Sequence, residues 1–132
     1  MILNVIVIDD SPLQLLHAVK YVERHENLRL LGAYANPLLG LLAIESAAVD
    51  LILLDVEMPE MTGFELKSHL SRDTAVVMNS SEPRFKEVAM GTGAFDFLSK
   101  PLKFDAFEST IDRLIQHRFS VPVPHFVRAI AS

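Results

Sequence analysis

Cysteine is absent from this 132-residue chain, and the sequence contains neither a long apolar run nor a glycine-rich phosphate-binding loop. Without cysteine, the chain can form no disulfide framework and no thiolate metal site. No run approaches the ~20 apolar residues that a membrane-spanning helix requires, so we predict no association with a membrane. The apolar residues 1–8 lack a basic flank and a cleavage pattern, which predicts a cytoplasmic protein without a signal peptide.

Positive charge is also in short supply, because 12 lysines and arginines stand against 17 acidic residues and leave a net charge of −5. This balance disfavours a nucleic-acid-binding surface, and we expect that the chain itself binds no nucleic acid. Small cations and basic partners remain as possible ligands. Half of the residues are apolar, which supplies a core for one domain and excludes disorder as the dominant state.

Short apolar runs rich in valine, isoleucine and leucine alternate along the chain with segments of helical character. The predicted strands cover residues 2–8, 28–35, 51–54, 75–78 and 94–98. Because these runs are continuous rather than alternating with polar residues, they are typical of strands covered on both faces. Five strand–helix units with short connections predict an α/β fold, a (βα)5 three-layer sandwich around a five-stranded parallel sheet.

Local signals mark where the helices begin and end. They are capping boxes at Ser11 with Gln14 and at Thr62 with Glu65, a helix start at Asn36-Pro37, a short helix over residues 84–90 ended by Gly91 and Gly93, and a last helix from about Asp105. We place one domain at residues 1–118. Residues 119–132 contain two prolines that break the helical pattern, and we interpret them as a C-terminal extension or the start of a linker, with a docking segment as the alternative.

Polar side chains stand at the carboxyl ends of four predicted strands. They are Asp9 and Asp10, Asp55, Ser80 with Ser81, and Lys100. Taken singly, each has an ordinary explanation as a loop residue, a helix cap or a surface charge. Taken together, they lie where an open parallel sheet binds its ligands. Carboxylates brought together repel each other, and Mg²⁺ relieves the repulsion because it prefers hard oxygen ligands.

A magnesium ion beside a spare carboxylate, an amine and a hydroxyl is suited to accepting a phosphoryl group. The metal and Lys100 would neutralise charge on the transferring oxygens, and Ser80 would hydrogen-bond one of them. The free carboxylate would act as the nucleophile and form an aspartyl phosphate. The sequence therefore predicts phosphoryl chemistry at this edge of the sheet.

Three motifs resemble those of receiver domains of two-component response regulators. They are Asp9-Asp10, the segment of residues 50–63 that holds Asp55 and Met58-Pro59, and the segment of residues 93–101 that ends in Lys100-Pro101. The resemblance covers roughly residues 2–118. It implies a flavodoxin-like fold with strand order 2-1-3-4-5, which makes the first, third, fourth and fifth strands neighbours and brings the polar residues to one site.

The resemblance also implies roles for individual residues. Asp55 matches the phosphorylated aspartate, and Lys100 matches the lysine that pairs with the phosphoryl group. Asp10 matches the carboxylate that ligates Mg²⁺ directly, Asp9 matches the carboxylate that acts largely through metal-bound water, and the backbone carbonyl of Glu57 matches the remaining protein ligand.

Two switch residues and one peptide bond are implied in the same way. The spacing before Lys100 is most like that of receivers of the LytTR-output class, which assigns the relay hydroxyl to Ser80, with Ser81 as the alternative. Phe97 matches the aromatic switch residue, and without a hydroxyl its inward position would be held by packing alone. The bond between Lys100 and Pro101 is expected to be cis.

The leading hypothesis is a signalling switch that does not turn over substrate. A histidine kinase or phosphotransfer protein would phosphorylate Asp55 with Mg²⁺, and the surface of the fourth helix, fifth strand and fifth helix would then bind a partner or form a homodimer.

The alternative is a Mg²⁺-dependent phosphohydrolase or phosphotransferase with an aspartyl nucleophile. Such enzymes usually carry an Asp-x-Asp motif, which Asp9-Asp10-Ser11 lacks, and they need room for a cap. A receiver-like domain that no longer accepts phosphate is a third possibility.

Overall fold

The computed structural model describes residues 1–119, in which five strands alternate with five helices. In chain order the elements are β1 (Leu3–Ile8), α1 (Pro12–Arg24), β2 (Leu28–Tyr34), α2 (Pro37–Glu45), β3 (Leu51–Asp55), α3 (Gly63–Lys67), β4 (Ala75–Ser80), α4 (Phe85–Gly91), β5 (Asp96–Ser99) and α5 (Phe104–Phe119). The strands pair in parallel in the order β2-β1-β3-β4-β5. The predicted fold and strand order are therefore confirmed.

The predicted C-terminal extension lies outside the described residues except for its first member, Phe119, which is the last residue of α5. Within residues 1–119, every helix is too short or too polar to cross a membrane.

Side chains of the sheet alternate between two apolar layers. Val7, Leu53 and Val77 point into the layer covered by α1 and α5, which contains Val22 and Phe107. Ile8, Leu54 and Met78 point into the opposite layer, which contains Leu66 and Ala89. Since both faces of β1, β3 and β4 are buried, these strands read as continuous apolar runs in the sequence.

Two strands extend further than their apolar runs predict. β3 includes Asp55 and β4 includes Ser80, because the ladder pairs Asp55 with Asn79 and Ser80 with Ser99. Backbone hydrogen bonds to neighbouring strands hold these polar residues in the sheet, whereas apolar periodicity alone ends each strand earlier. Both side chains are consequently carried by the sheet and not by a loop. β5 runs over Asp96–Ser99, later than the predicted 94–98.

The starts of α1, α2 and α3 agree with their sequence signals, but each capping box has only one of its two hydrogen bonds among the described residues. Ser11, Asn36 and Thr62 cap α1, α2 and α3 through their side chains. The capping box at Ser11 is only half formed, because the Ser11 amide donates to Asp9 Oδ1 at 3.0 Å and Gln14 Oε1 has no partner among the described residues. A charged carboxylate two residues away is a stronger acceptor than a side-chain amide.

The end of α4 differs from the prediction. The predicted helix stops at residue 90, whereas Gly91 is still helical in the structure and Thr92 is the C-cap. Gly93 has a φ of +89° and turns the chain toward β5, in a conformation that residues with a side chain rarely adopt.

Asp96 links the start of β5 to the middle of α5. Its carboxylate accepts hydrogen bonds from Thr110 Oγ1 at 2.6 Å, from the Phe97 amide at 2.8 Å and from Arg113. Burial by itself would raise the pKa of Asp96, but these hydrogen bonds and the charge of Arg113 hold it below its usual value. The ionised carboxylate therefore stabilises the folded state.

We expect Asp96→Asn to lower the free energy of unfolding by about 1–2 kcal/mol at pH 7, the size of a charge-assisted hydrogen bond. Because the folded pKa is depressed, this contribution is complete above the unfolded pKa and disappears as the pH falls through the folded pKa. Urea unfolding at pH 7 and at pH 3 measures both effects, and Glu108→Gln on the exposed side of α5 is the matched control. Equal losses at the two pH values would contradict the prediction.

Candidate functional site

Three carboxylates converge at the carboxyl edge of the sheet. Asp55 ends β3, while Asp9 and Asp10 directly follow β1, and these strands are hydrogen-bonded neighbours. One oxygen from each of the three side chains lies within 4.8 Å of the other two. Asp9 and Asp55 are buried, and Asp10 is partly open to solvent. A ligand that arrives from solution therefore reaches Asp10 first.

Lys100 closes the other side of this cluster. Its Nζ lies 2.8 Å from Asp9 Oδ2 and 2.9 Å from Asp55 Oδ1, and its side chain is 13 % exposed. The Lys100 amide donates to the carbonyl of Ser80, and the Lys100–Pro101 peptide bond is cis. Burial by itself would lower the pKa of Lys100, but the two carboxylates raise it above its usual value. Lys100 is therefore a permanent cation at neutral pH.

The negative charge of the site exceeds what one amine can balance. Burial raises the pKa of Asp55 to about 7, and the charge of Asp9 adds to this effect, whereas the hydrogen bond from Lys100 opposes it. Three carboxylates that face one ammonium group leave an excess of hard, anionic oxygen atoms. Mg²⁺ prefers ligands of this type. The donor set therefore fits a magnesium ion.

The loop after β3 folds tightly against Asp55. The Gly63 amide donates to the Val56 carbonyl at 2.8 Å, and a Cβ atom on Gly63 would lie 2.3 Å from the Asp55 carbonyl oxygen. Met58 is buried beneath this loop, while the Glu57 side chain is exposed. The close approach requires glycine at position 63.

The structure distinguishes the two candidate hydroxyls. Ser80 is the last residue of β4 and is buried, whereas Ser81 is exposed in the following turn. Ser80 Oγ accepts a hydrogen bond from the Glu82 amide at 3.0 Å, which leaves the hydroxyl proton to be donated elsewhere. Phe97 is 7 % exposed and packs in the layer that contains Met78 and Ala89.

Sequence reasoning missed one buried polar residue of this edge, Asn79. It pairs with Asp55 in the ladder, is 2 % exposed, and its Oδ1 has no hydrogen-bond partner within residues 1–119. The available signal was a single amide residue inside the apolar run of β4, one position before Ser80.

A family model and several known proteins match most of this chain. The family model described as the response regulator receiver domain matches residues 5–112. A response regulatory protein of Vibrio vulnificus is 31 % identical over 114 residues, which cover 85 % of this chain and 47 % of that protein. The transcriptional regulatory protein BtsR of Escherichia coli is 26 % identical over 118 residues, 88 % of this chain and 49 % of BtsR. The chain spans about half the length of the curated relatives that it matches.

Solved structures show the same fold. The response regulatory domain of mrkE from Klebsiella pneumoniae superimposes with a TM-score of 0.78 at 21 % identity, and the match covers 86 % of this chain and 96 % of that domain. The chemotaxis protein CheY4 of Vibrio cholerae gives a TM-score of 0.73 at 26 % identity, covering 86 % of this chain and 98 % of CheY4.

Proposed function

Because the chain belongs to the response regulator receiver family, we propose that it is a phosphorylation-dependent switch in which Asp55 accepts a phosphoryl group. Members of this family are signalling switches and not typical enzymes. We assign the function to residues 1–118, with a histidine kinase or a phosphotransfer protein as the donor. The observation that carries the proposal is the buried Asp55 carboxylate, which lies 2.9 Å from Lys100 within a cluster of acids.

The chain's own residues supply the nucleophile and part of its electrostatic environment. A carboxylate oxygen of Asp55 attacks the phosphorus atom, and the new P–O bond forms as the bond to the donor's nitrogen or oxygen breaks. Lys100 is held at the site by Asp9 and neutralises the charge that arrives with the phosphoryl group. When bound, Mg²⁺ would be held by Asp10, Asp55, the Glu57 carbonyl and, through water, Asp9, and would supply further positive charge.

The switch then follows from the new charge on Asp55. The Ser80 hydroxyl has a proton free to donate, and the phosphoryl group gives it a strong acceptor on the neighbouring strand. Phe97 packs without a hydrogen bond from its ring, so only packing opposes its movement. Displacement of Ser80 and Phe97 would change the surface of α4, β5 and α5, through which we expect a partner or a second copy to bind.

Labelling with acetyl phosphate and Mg²⁺ tests this proposal. We expect one acid-stable, hydroxylamine-sensitive phosphoryl group per chain, no label on Asp55→Asn, and slower labelling of Ser80→Ala than of Ser81→Ala. Intact-mass measurement and peptide mapping identify the modified residue. Equal labelling of Asp55→Asn, or many turnovers on simple phosphoesters as in an aspartyl phosphohydrolase, would contradict the proposed function.

A further inference from the structure

Asn79 occupies the same face of the sheet as the proposed site. Val7, Leu53, Val77 and Leu98 all point into the layer beneath α1 and α5. Side chains two residues apart on a strand share a face. The next residues on that face, each at or next to the carboxyl end of one of four adjacent strands, are Asp9, Asp55, Asn79 and Lys100. Asn79 therefore belongs to the row of polar side chains that forms the site.

The side chain of Lys100 crosses the strand that carries Asn79. Lys100 follows β5, yet its ammonium group contacts Asp55 on β3 and Asp9 after β1. β4 lies between β5 and β3, and adjacent strands are about 4.8 Å apart. To reach Asp55, the aliphatic part of Lys100 must cross β4 at the level of Asn79, which is the ladder partner of Asp55.

Lys100 and Asn79 both have unused hydrogen-bonding capacity. The Lys100 ammonium group has three N–H donors, and two of them point at Asp9 and Asp55. Asn79 Oδ1 is buried and has no partner among the described residues. A buried carbonyl oxygen without a donor is unfavourable, so Asn79 Oδ1 is available to accept a hydrogen bond in another state of the site.

We propose that Asn79 is a positioning residue that accepts a hydrogen bond from Lys100 when Asp55 becomes phosphorylated. This inference rests on the proposed function. Phosphorylation converts the Asp55 carboxylate into an acyl phosphate, whose bonded oxygen is a weaker acceptor, so one N–H donor of Lys100 is released for another partner. Asn79 Oδ1 then holds the ammonium group over the phosphoryl oxygens. Asn79 acts through Lys100 and does not contact the phosphoryl group itself.

Asn79→Leu tests the proposal, because leucine keeps the shape of the side chain and removes its polar atoms. We expect the rate of phosphorylation by acetyl phosphate to fall about tenfold, the effect of one hydrogen bond to a charged group. We expect the melting temperature to rise by about 3 °C, because an unpartnered buried amide is removed. A purely structural role would not combine a slower reaction with a more stable domain. Asn4→Leu, at the opposite edge of the sheet, removes another unpartnered amide oxygen and should leave the rate unchanged.

A double-mutant cycle with Lys100→Met identifies the route of action. If Asn79 acts through Lys100, the Asn79 substitution has no further effect in the Lys100→Met background. Where that background reacts too slowly, Mg²⁺-dependent binding of beryllofluoride supplies the same comparison. Asn79→Val replaces Asn79→Leu if the latter does not fold.

The outcomes separate this inference from the proposed function. Labelling of Asn79→Leu at the wild-type rate, or an equal loss in the presence and absence of Lys100, would overturn the role of Asn79 while the switch remains. Failure of the wild-type chain to become labelled at all would overturn the switch itself.

Discussion

Gly63→Ala is expected to lower the free energy of unfolding by about 3 kcal/mol, at the upper end of the cost of overpacking a core. The added Cβ would lie 2.3 Å from the Asp55 carbonyl oxygen and 3.1 Å from Val56 Cα. Both are backbone atoms of a buried segment, so neither can move without disturbing β3. Met78 Cε, at 2.9 Å, is the end of a flexible side chain and can move at small cost. The strain therefore falls on the strand that carries Asp55.

Urea denaturation measures this loss, and Gly91→Ala is a matched control. A Cβ on Gly91 would meet no atom within 4 Å, and Gly91 is helical. Alanine there should raise the free energy of unfolding by about 0.5–1 kcal/mol. The displaced Asp55 should also weaken Mg²⁺-dependent labelling of Gly63→Ala. An unchanged urea midpoint for Gly63→Ala would show that the loop after β3 relaxes freely.

Asp55→Asn is expected to stabilise the metal-free domain by about 3 kcal/mol at pH 8. Burial raises the pKa of Asp55 from 3.8 to about 7, so the folded state holds a proton over a pH range in which the unfolded state does not. Stability therefore falls as the pH rises from about 3.8 to about 7, and the full cost is present above pH 7. A shift of this size, which already includes the attraction of Lys100, corresponds to roughly 4 kcal/mol. Asparagine places an N–H donor where the carboxylate had a second acceptor, which reduces the net gain.

The difference in unfolding free energy between Asp55→Asn and the wild-type chain should disappear near pH 4. Asp73→Asn removes an exposed carboxylate and should give a difference that does not depend on pH between 5 and 8. Saturating Mg²⁺ should stabilise the wild-type chain at pH 8 far more than Asp55→Asn, because binding to the folded state alone adds stability by mass action. A constant difference across the pH range would contradict the raised pKa of Asp55.

The fold was predictable because its determinants are local or periodic. Continuous apolar runs indicated strands buried on both faces, which holds for β1, β3 and β4 but not for the edge strand β2. Ser11, Asn36 and Thr62 marked helix starts that the structure confirms. Residues whose environment is set by distant neighbours were harder to interpret. Asp55 and Ser80 belong to strands only because adjacent strands offer them ladder partners.

The candidate site could be predicted from the sequence only in part. Asp9, Asp10, Asp55 and Lys100 stand at strand ends in the sequence, so the strand order was sufficient to bring them together. Asn79 lies inside a strand, where an isolated amide has no local pattern that indicates a role. Nor could local rules show that Asp9 outcompetes Gln14 for the Ser11 amide, since that choice depends on the position of a buried carboxylate.

Because Asp55 and Ser80 lie in the sheet, mutations near them and mutations on the outer surface of the domain have different consequences. Their backbones are fixed by hydrogen bonds to neighbouring strands, whereas the helix surfaces and connecting turns carry no such constraint. In the proposed switch, substitutions on those outer surfaces would alter which kinase or target is recognised while the reacting groups stay in register. New signalling connections can therefore evolve from the same scaffold by changes in its periphery.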